Sequence, residues 1–133
     1  MGRKLAREVV FKLIYEHIIT GGGNNTLEAS LEAKGLAGDD GEYITRVIAG
    51  VTDNYDEITQ KIARFSIDFS LNRIYKTDLA ALVLAVYEID FMPDIPVAVT
   101  INECLNLAKL YGTERSAGFI NGILASILKE GGN

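Results

Sequence analysis

The sequence predicts an all-α fold, and three observations support that prediction. Residues 77–91 are rich in Leu and Ala, and between Asp78 and Glu88 they contain no charge, Gly or Pro, which favours a strong helix. Apolar residues occur on every side of that helix, so other helices must enclose it. The flanking segments repeat apolar residues at helical spacing, and no segment alternates like a strand. We therefore expect a compact bundle of about six or seven helices in two halves packed around a central apolar helix.

Length and composition limit the class of protein. A chain of 133 residues is expected to form one domain, with an N-terminal half over about 1–66 and a C-terminal half over about 67–133. The N-terminal segment carries charges throughout, unlike a signal peptide, and residues 77–91 are too short to cross a bilayer, so we expect a cytoplasmic protein without membrane contact. With one Cys and one His, the sequence offers few ligands for a zinc site, and no cofactor is expected. The net charge of −5 means that any nucleic-acid function must rest on a local basic patch.

Residues 3–19 predict the first helix, which has one apolar and one cationic side. The apolar side, which also holds His17 as a packed histidine, consists of Ala6, Val9, Val10, Leu13, Ile14 and Ile18. The cationic side interleaves basic and aromatic residues: Lys4, Arg7, Phe11 and Tyr15, flanked by Arg3 and Lys12. Such a pattern suits nucleic acid, because the cations meet phosphates and the rings can stack on unpaired bases. It equally fits a solvated helix side on which Phe11 packs against a neighbour.

The middle of the chain predicts further helices. Between the loops 21–25 and 37–41, residues 26–36 read as a short helix capped by Thr26. Residues 42–66 keep helical spacing throughout and predict one long helix, in which Gly50 lets another helix approach closely. Residues 66–76 form a connector with one helical turn.

The C-terminal part predicts three helices. Thr77 or Asp78 can cap the central helix, and Pro93 ends it. The next helix begins near Pro96 and ends at Gly112. The last helix opens at Thr113 or Ser116, and Gly122 within it is expected to mark a close helix crossing.

Three motifs carry a resemblance to a known family. The first is Lys4-Leu-Ala-Arg-Glu8 followed by Leu13-Ile-Tyr15, and the second is Leu71-Asn-Arg-Ile74 with Thr77-Asp78 and Leu84–Ile89. The third, and the most specific, runs from Ile95-Pro96 through Ile101-Asn-Glu103 and Leu107–Gly112 to Phe119–Leu124. Together they resemble the bacterial transcription antitermination factor NusB over most of the chain.

The resemblance implies an RNA-binding factor without enzymatic activity. NusB pairs with NusE, a small-subunit ribosomal protein, and the two hold single-stranded boxA RNA in nascent ribosomal RNA transcripts. Their complex joins RNA polymerase and suppresses premature termination. The resemblance places Arg3, Lys4 and Arg7 on the RNA surface, with Lys12 and Tyr15 beside them.

The resemblance also implies roles in the C-terminal half. Asp78 matches an acidic position that could meet a basic group on NusE. Phe119 matches the family Phe, which implies a place at the rim of the RNA and partner surfaces; plain packing in the core fits it equally. Relatives often carry Lys where Ala98 and Gly118 stand, which indicates weaker phosphate contact. Arg115 replaces a frequently acidic residue and is expected to restore positive charge near the RNA.

Two other readings remain open from the sequence. The chain could be a helical protein–protein adaptor without RNA-binding activity of its own, or its apolar rims could form a homodimer. An enzyme is disfavoured, because no nucleophile–base pair is evident and His17 lies on an apolar side.

Overall fold

The computed structural model describes residues 2–21, 38–66 and 70–131. These residues form six α-helices and one 3-10 turn, with no strand among them: α1 (Gly2–Thr20), α2 (Gly38–Asp53), α3 (Tyr55–Phe65), the 3-10 turn (Leu71–Arg73), α4 (Lys76–Phe91), α5 (Val97–Tyr111) and α6 (Ser116–Gly131). The all-α prediction is confirmed. The predicted short helix 26–36 lies outside the described residues.

Helix α4 is the centre of the bundle, as predicted. All residues from Asp78 to Glu88 are buried, and α4 packs against each of the other five described helices. Its first turn differs from the prediction, because Tyr75 occupies the N-cap position and makes no side-chain capping hydrogen bond. Asp78 instead lies inside the first turn, where its carboxyl group meets the hydroxyl of Ser116 at the start of α6.

The predicted long helix 42–66 is wrong, because the chain breaks at Asn54 into α2 and α3. The backbone N–H and the side-chain Nδ2 of Asn54 both donate to the carbonyl oxygen of Gly50, at 3.0 and 2.8 Å. A short amide side chain that bonds the nearby backbone competes with helix continuation. Helix α2 also begins at Gly38, so residues 38–41 are helical and not the predicted loop; Asp39 and Asp40 complement the positive end of the helix dipole.

Two glycine predictions have opposite outcomes. A β-carbon at Gly50 would collide with the ring and hydroxyl of Tyr87 on α4, so the predicted close approach is confirmed. Gly122 is exposed, and a β-carbon there would meet no atom within 4 Å among the described residues. The predicted close crossing at Gly122 is therefore wrong.

Candidate nucleic-acid interface

The outer side of α1 carries exposed basic and aromatic residues. Lys4, Lys12 and Tyr15 lie there together, and the two lysine side chains are 69% and 60% exposed. Arg3 occupies a different flank, because its guanidinium lies 4.4 Å from the ring centroid of Tyr43 on α2. The helix thus presents cations on two neighbouring sides, which together span its first three turns.

Each exposed cation of α1 faces a carboxylate at long range. Three pairs have N···O distances of 3.9 Å: Arg3 with Asp40, Lys4 with Glu103, and Lys12 with Glu8. Ion pairs this long and this exposed contribute little to stability, commonly about 0–1 kcal/mol. The side chains can therefore turn toward a phosphate at small cost.

Arg7 corrects the predicted cationic side, because it lies in the interior. Only 6% of Arg7 is exposed, and its Nε and Nη2 donate to the carboxylate of Glu88 on α4 at 2.8 and 3.2 Å. Burial alone would lower the pKa of Arg7, but the hydrogen bond and the charge of Glu88 raise it above the ordinary value. Arg7 therefore supports the bundle, and its guanidinium is not part of the exposed cationic side of α1.

Glu88 receives donors from three other helices. Besides Arg7, the Tyr43 hydroxyl of α2 donates to its Oε2, and Thr100 Oγ1 of α5 donates to its Oε1 at 2.6 Å. Glu88 is 1% exposed, and a buried carboxylate is tolerated only when it is paired and hydrogen-bonded. This acid directly after the apolar run of α4 is the sequence signal that could have predicted a buried cationic partner.

Phe11 also points inward. It is buried and stacks at 5.0 Å between ring centroids on Tyr111 of α5. Of the two interpretations that the sequence left open for Phe11, packing against a neighbour is the correct one.

A cavity of about 400 Å³ brings together the site residues predicted in the C-terminal half. It lies between the 3-10 turn, the first turn of α4 and the start of α6. Its lining residues are Arg73, Ile74, Tyr75, Asp78, Thr113, Arg115 and Phe119. Arg73 and Tyr75 were not predicted as site residues, although Arg73-Ile-Tyr75 repeats the cationic–aromatic pattern of α1.

Asp78 is the buried polar group of this cavity. It is 3% exposed, and its Oδ1 has no hydrogen-bond partner among the described residues. Burial raises the pKa of Asp78, and the hydrogen bond from Ser116 lowers it by a smaller amount. Asp78 Oδ1 is therefore a buried acceptor whose hydrogen-bonding capacity is unused among the described residues.

The outer side of α1 and the cavity are connected through the end of α5. Lys12 Nζ lies 5.6 Å from the ring centroid of Tyr111, and the Tyr111 hydroxyl donates to Glu8 of α1. Tyr111 precedes Thr113 and Arg115, which line the cavity. We call this set of residues the α1–cavity surface: Lys4, Lys12, Tyr15, Tyr111, Arg115 and Phe119.

Comparison with known proteins identifies the family. The model of the NusB family matches residues 4–129. The transcription antitermination protein NusB of Acetivibrio thermocellus is 45% identical over 130 residues, which cover 97% of this chain and 90% of the relative. That of Alkaliphilus oremlandii is 39% identical over 133 residues, which cover 99% and 96%. The chain belongs to the NusB family.

Solved structures of NusB proteins have the same fold. T. maritima NusB superimposes with a TM-score of 0.89 at 36% identity, covering 98% of this chain and 92% of that one. A crystal structure of the antitermination factors NusB and NusE in complex with double-stranded RNA matches with a TM-score of 0.83 at 26% identity, covering 96% of both chains.

Two further findings concern the described part of the chain. No group of three or more His, Cys, Asp or Glu residues there is arranged to hold a metal ion. None of its helices is both long enough and apolar enough to cross a bilayer.

Proposed function

We propose that this member of the NusB family is a non-enzymatic transcription antitermination factor that binds RNA together with a NusE protein. The RNA is single-stranded boxA RNA in nascent ribosomal RNA transcripts, and the complex acts on RNA polymerase to suppress premature termination. Family membership supports the antitermination role, and the similar structure that contains NusE and RNA supports both classes of partner.

The observation that carries the proposal is the α1–cavity surface on an otherwise acidic protein. Lys4 and Lys12 bind phosphates, and Tyr15 stacks on an unpaired base. Arg3 adds a cation beside them, and Arg115 and Phe119 extend the RNA path to the cavity. A compact basic strip on a chain of net charge −5 binds a short RNA without attaching to nucleic acid everywhere.

NusE is proposed to bind the C-terminal half beside the cavity. Phe119 is partly buried at the cavity rim, where it can contribute to the RNA and partner surfaces at once. Asp78 can meet a basic group of NusE only if that group enters the cavity, because the carboxyl is not exposed at the surface.

The proposal involves no catalytic step. Burial raises the pKa of the Cys104 thiol to about 12, and the thiol donates to the carbonyl oxygen of Ala81 at 3.3 Å. A thiol in that environment is not a nucleophile at neutral pH.

A binding assay with a matched control tests the proposal. A short boxA-like RNA from the same genome is titrated with the protein, with and without its cognate NusE, at two salt concentrations. We expect salt-sensitive binding that NusE strengthens and that Lys12→Glu weakens. Lys129→Glu, a reversal of an exposed lysine at the far end of α6, is the control and should leave the affinity unchanged.

The same assay distinguishes the RNA-binding proposal from the alternative of a protein–protein adaptor. If NusE is captured but RNA is not bound in any condition, the protein is a protein–protein adaptor and the RNA-binding proposal fails.

A further inference from the structure

Glu8 is the only acidic residue between Arg3 and Tyr15 on the basic helix α1. A carboxylate in that position attracts the neighbouring lysines and repels the phosphates of an approaching RNA. We propose that Tyr111 of α5 is a positioning residue for RNA binding, whose hydroxyl holds the Glu8 carboxylate so that Lys12 is free to bind a phosphate. This inference rests on the proposed RNA-binding function and adds to it a residue that acts through Glu8.

The first step of the argument is the pair between Glu8 and Lys12. Lys12 follows Glu8 by one helical turn, and its Nζ lies 3.9 Å from Glu8 Oε2. Glu four residues before Lys is the favourable orientation for such a pair on a helix. A lysine that neutralises Glu8 must leave it before it can neutralise a phosphate. The strength of this pair therefore enters the affinity for RNA directly.

The second step is the other partner of Glu8. The Tyr111 hydroxyl donates to Oε2 of Glu8, the same oxygen that faces Lys12. Hydrogen bonds to an ionised acceptor are stronger than those between neutral groups. The carboxylate therefore keeps a donor when Lys12 turns toward RNA. Without the hydroxyl, release of Lys12 would leave an unpaired carboxylate beside a phosphate.

The third step is the placement of the Tyr111 ring. The ring packs on Phe11 at 5.0 Å between centroids, and the Gly112 N–H bonds the Ala108 carbonyl oxygen at 2.8 Å, which fixes the end of α5. Lys12 Nζ lies 5.6 Å from the ring centroid of Tyr111, a distance at which a ring attracts a cation. The ring thus keeps the lysine near the surface without neutralising its charge.

Removal of the Tyr111 hydroxyl tests the proposal. Tyr111→Phe keeps the ring and its packing, and it is titrated with the boxA-like RNA in the presence of NusE. We expect the affinity to fall about threefold, the factor that corresponds to an exposed ion pair gained by Glu8 and Lys12 in the free protein. Tyr55→Phe, the same change at a half-buried tyrosine of α3, is the control and should keep the wild-type affinity.

A second substitution distinguishes positioning from a structural role. Glu8→Gln removes the charge that Tyr111 is proposed to hold, so it should strengthen RNA binding by itself. On the Glu8→Gln background, Tyr111→Phe should no longer change the affinity. Glu57→Gln, the same loss of charge at an exposed position of α3, should not abolish the effect of Tyr111→Phe. Capture of NusE without RNA is measured for each variant and should stay at the wild-type level.

Four outcomes would overturn the proposal. If Tyr111→Phe binds RNA as tightly as wild type, the hydroxyl has no positioning role, while the proposed RNA-binding function stands. If Tyr111→Phe weakens binding equally with Glu8 and with Gln at position 8, the hydroxyl acts on the RNA or on the fold. If Tyr111→Phe loses NusE capture, the hydroxyl acts through the protein partner. If wild type binds no RNA even with NusE, the proposed function and this inference fail together.

Discussion

Burial of the Asp78 carboxyl is unfavourable, and the hydrogen bond from Ser116 does not fully compensate for the lost hydration. The carboxyl has a raised pKa, so the folded state holds its proton to higher pH than the unfolded state does. Folding stability attributable to Asp78 therefore falls as pH rises from the normal carboxyl pKa through the raised folded value, and the loss persists at neutral pH. We expect Asp78→Asn to unfold at higher urea concentration than wild type at pH 7, with the difference shrinking below about pH 4. Equal midpoints at both pH values would show that burial of Asp78 is not destabilising.

Arg7 and Glu88 form the pair on which four helices converge. Removal of Arg7 leaves a buried carboxylate without its cation, which commonly costs about 3–5 kcal/mol. We expect Arg7→Ala to lower the free energy of unfolding by about that amount in urea denaturation. Lys4→Ala, an exposed residue of the same helix, should change it by less than about 0.5 kcal/mol. A loss as small for Arg7→Ala as for Lys4→Ala would contradict the structural role of the pair.

The sequence could predict that α1 has a charged side. It could not predict that the Arg7 side chain is buried and does not belong to that side. A helical wheel gives the angle of a residue on its own helix, and Arg7 falls beside Lys4 and Phe11 by angle. What decides its burial is Glu88, which is 81 residues away in sequence. The cavity around Asp78 shows the same limit, because its lining residues come from two separate segments of the chain.

At the scale of elements, two glycines in helices test how closely the helices pack. Gly122 is exposed with space around its α-carbon, so Gly122→Ala should raise the free energy of unfolding by about 1 kcal/mol through helix propensity. Gly50→Ala should lower it by about 1–3 kcal/mol, because the new methyl group collides with Tyr87. Thermal and urea unfolding of the two variants measure both effects. A stabilising Gly50→Ala would mean that Tyr87 moves aside without cost.

The sequence predicts a helix boundary where the spacing of apolar residues changes. It does not predict a boundary where a single side chain interrupts the helix and the spacing continues. Helix α4 agrees with its predicted span to within one residue at its start, since the apolar run and Pro93 define it. The division at Asn54 leaves the apolar period intact on both sides, so periodicity could not reveal it. The structure shows the local cause, which is the bond from the Asn54 side-chain Nδ2 to the Gly50 carbonyl.

For the whole molecule, the arrangement of charge determines where RNA can approach. Arg115 lies at the cavity and has no carboxylate within 4 Å among the described residues, so it adds positive potential to an acidic protein. We expect Arg115→Asp to weaken binding of the boxA-like RNA and to reduce the salt dependence of log K by about one phosphate contact. An unchanged affinity would remove Arg115 from the site.

Arg64→Asp is the matched control for that measurement. Arg64 pairs with Glu130 at 3.2 Å near the end of α6, about 20 Å along that helix from Ser116 by its rise per residue. Reversal of this charge alters the net charge equally and should leave RNA affinity unchanged. A similar loss in both variants would indicate that net charge, and not the α1–cavity surface, governs binding.

The contact between Arg7 and Glu88 also has a consequence for synthesis on the ribosome. Helix α1 emerges first, but the carboxylate that its arginine requires is made 81 residues later, and α1 packs mainly on α4 and α2. Contacts between residues so far apart in sequence form late, after the intervening loop is closed. During translation Arg7 therefore stays hydrated, and the surface of α1 reaches its final orientation only when α4 has left the exit tunnel. A truncated nascent chain that ends before α4 should accordingly lack a competent RNA surface.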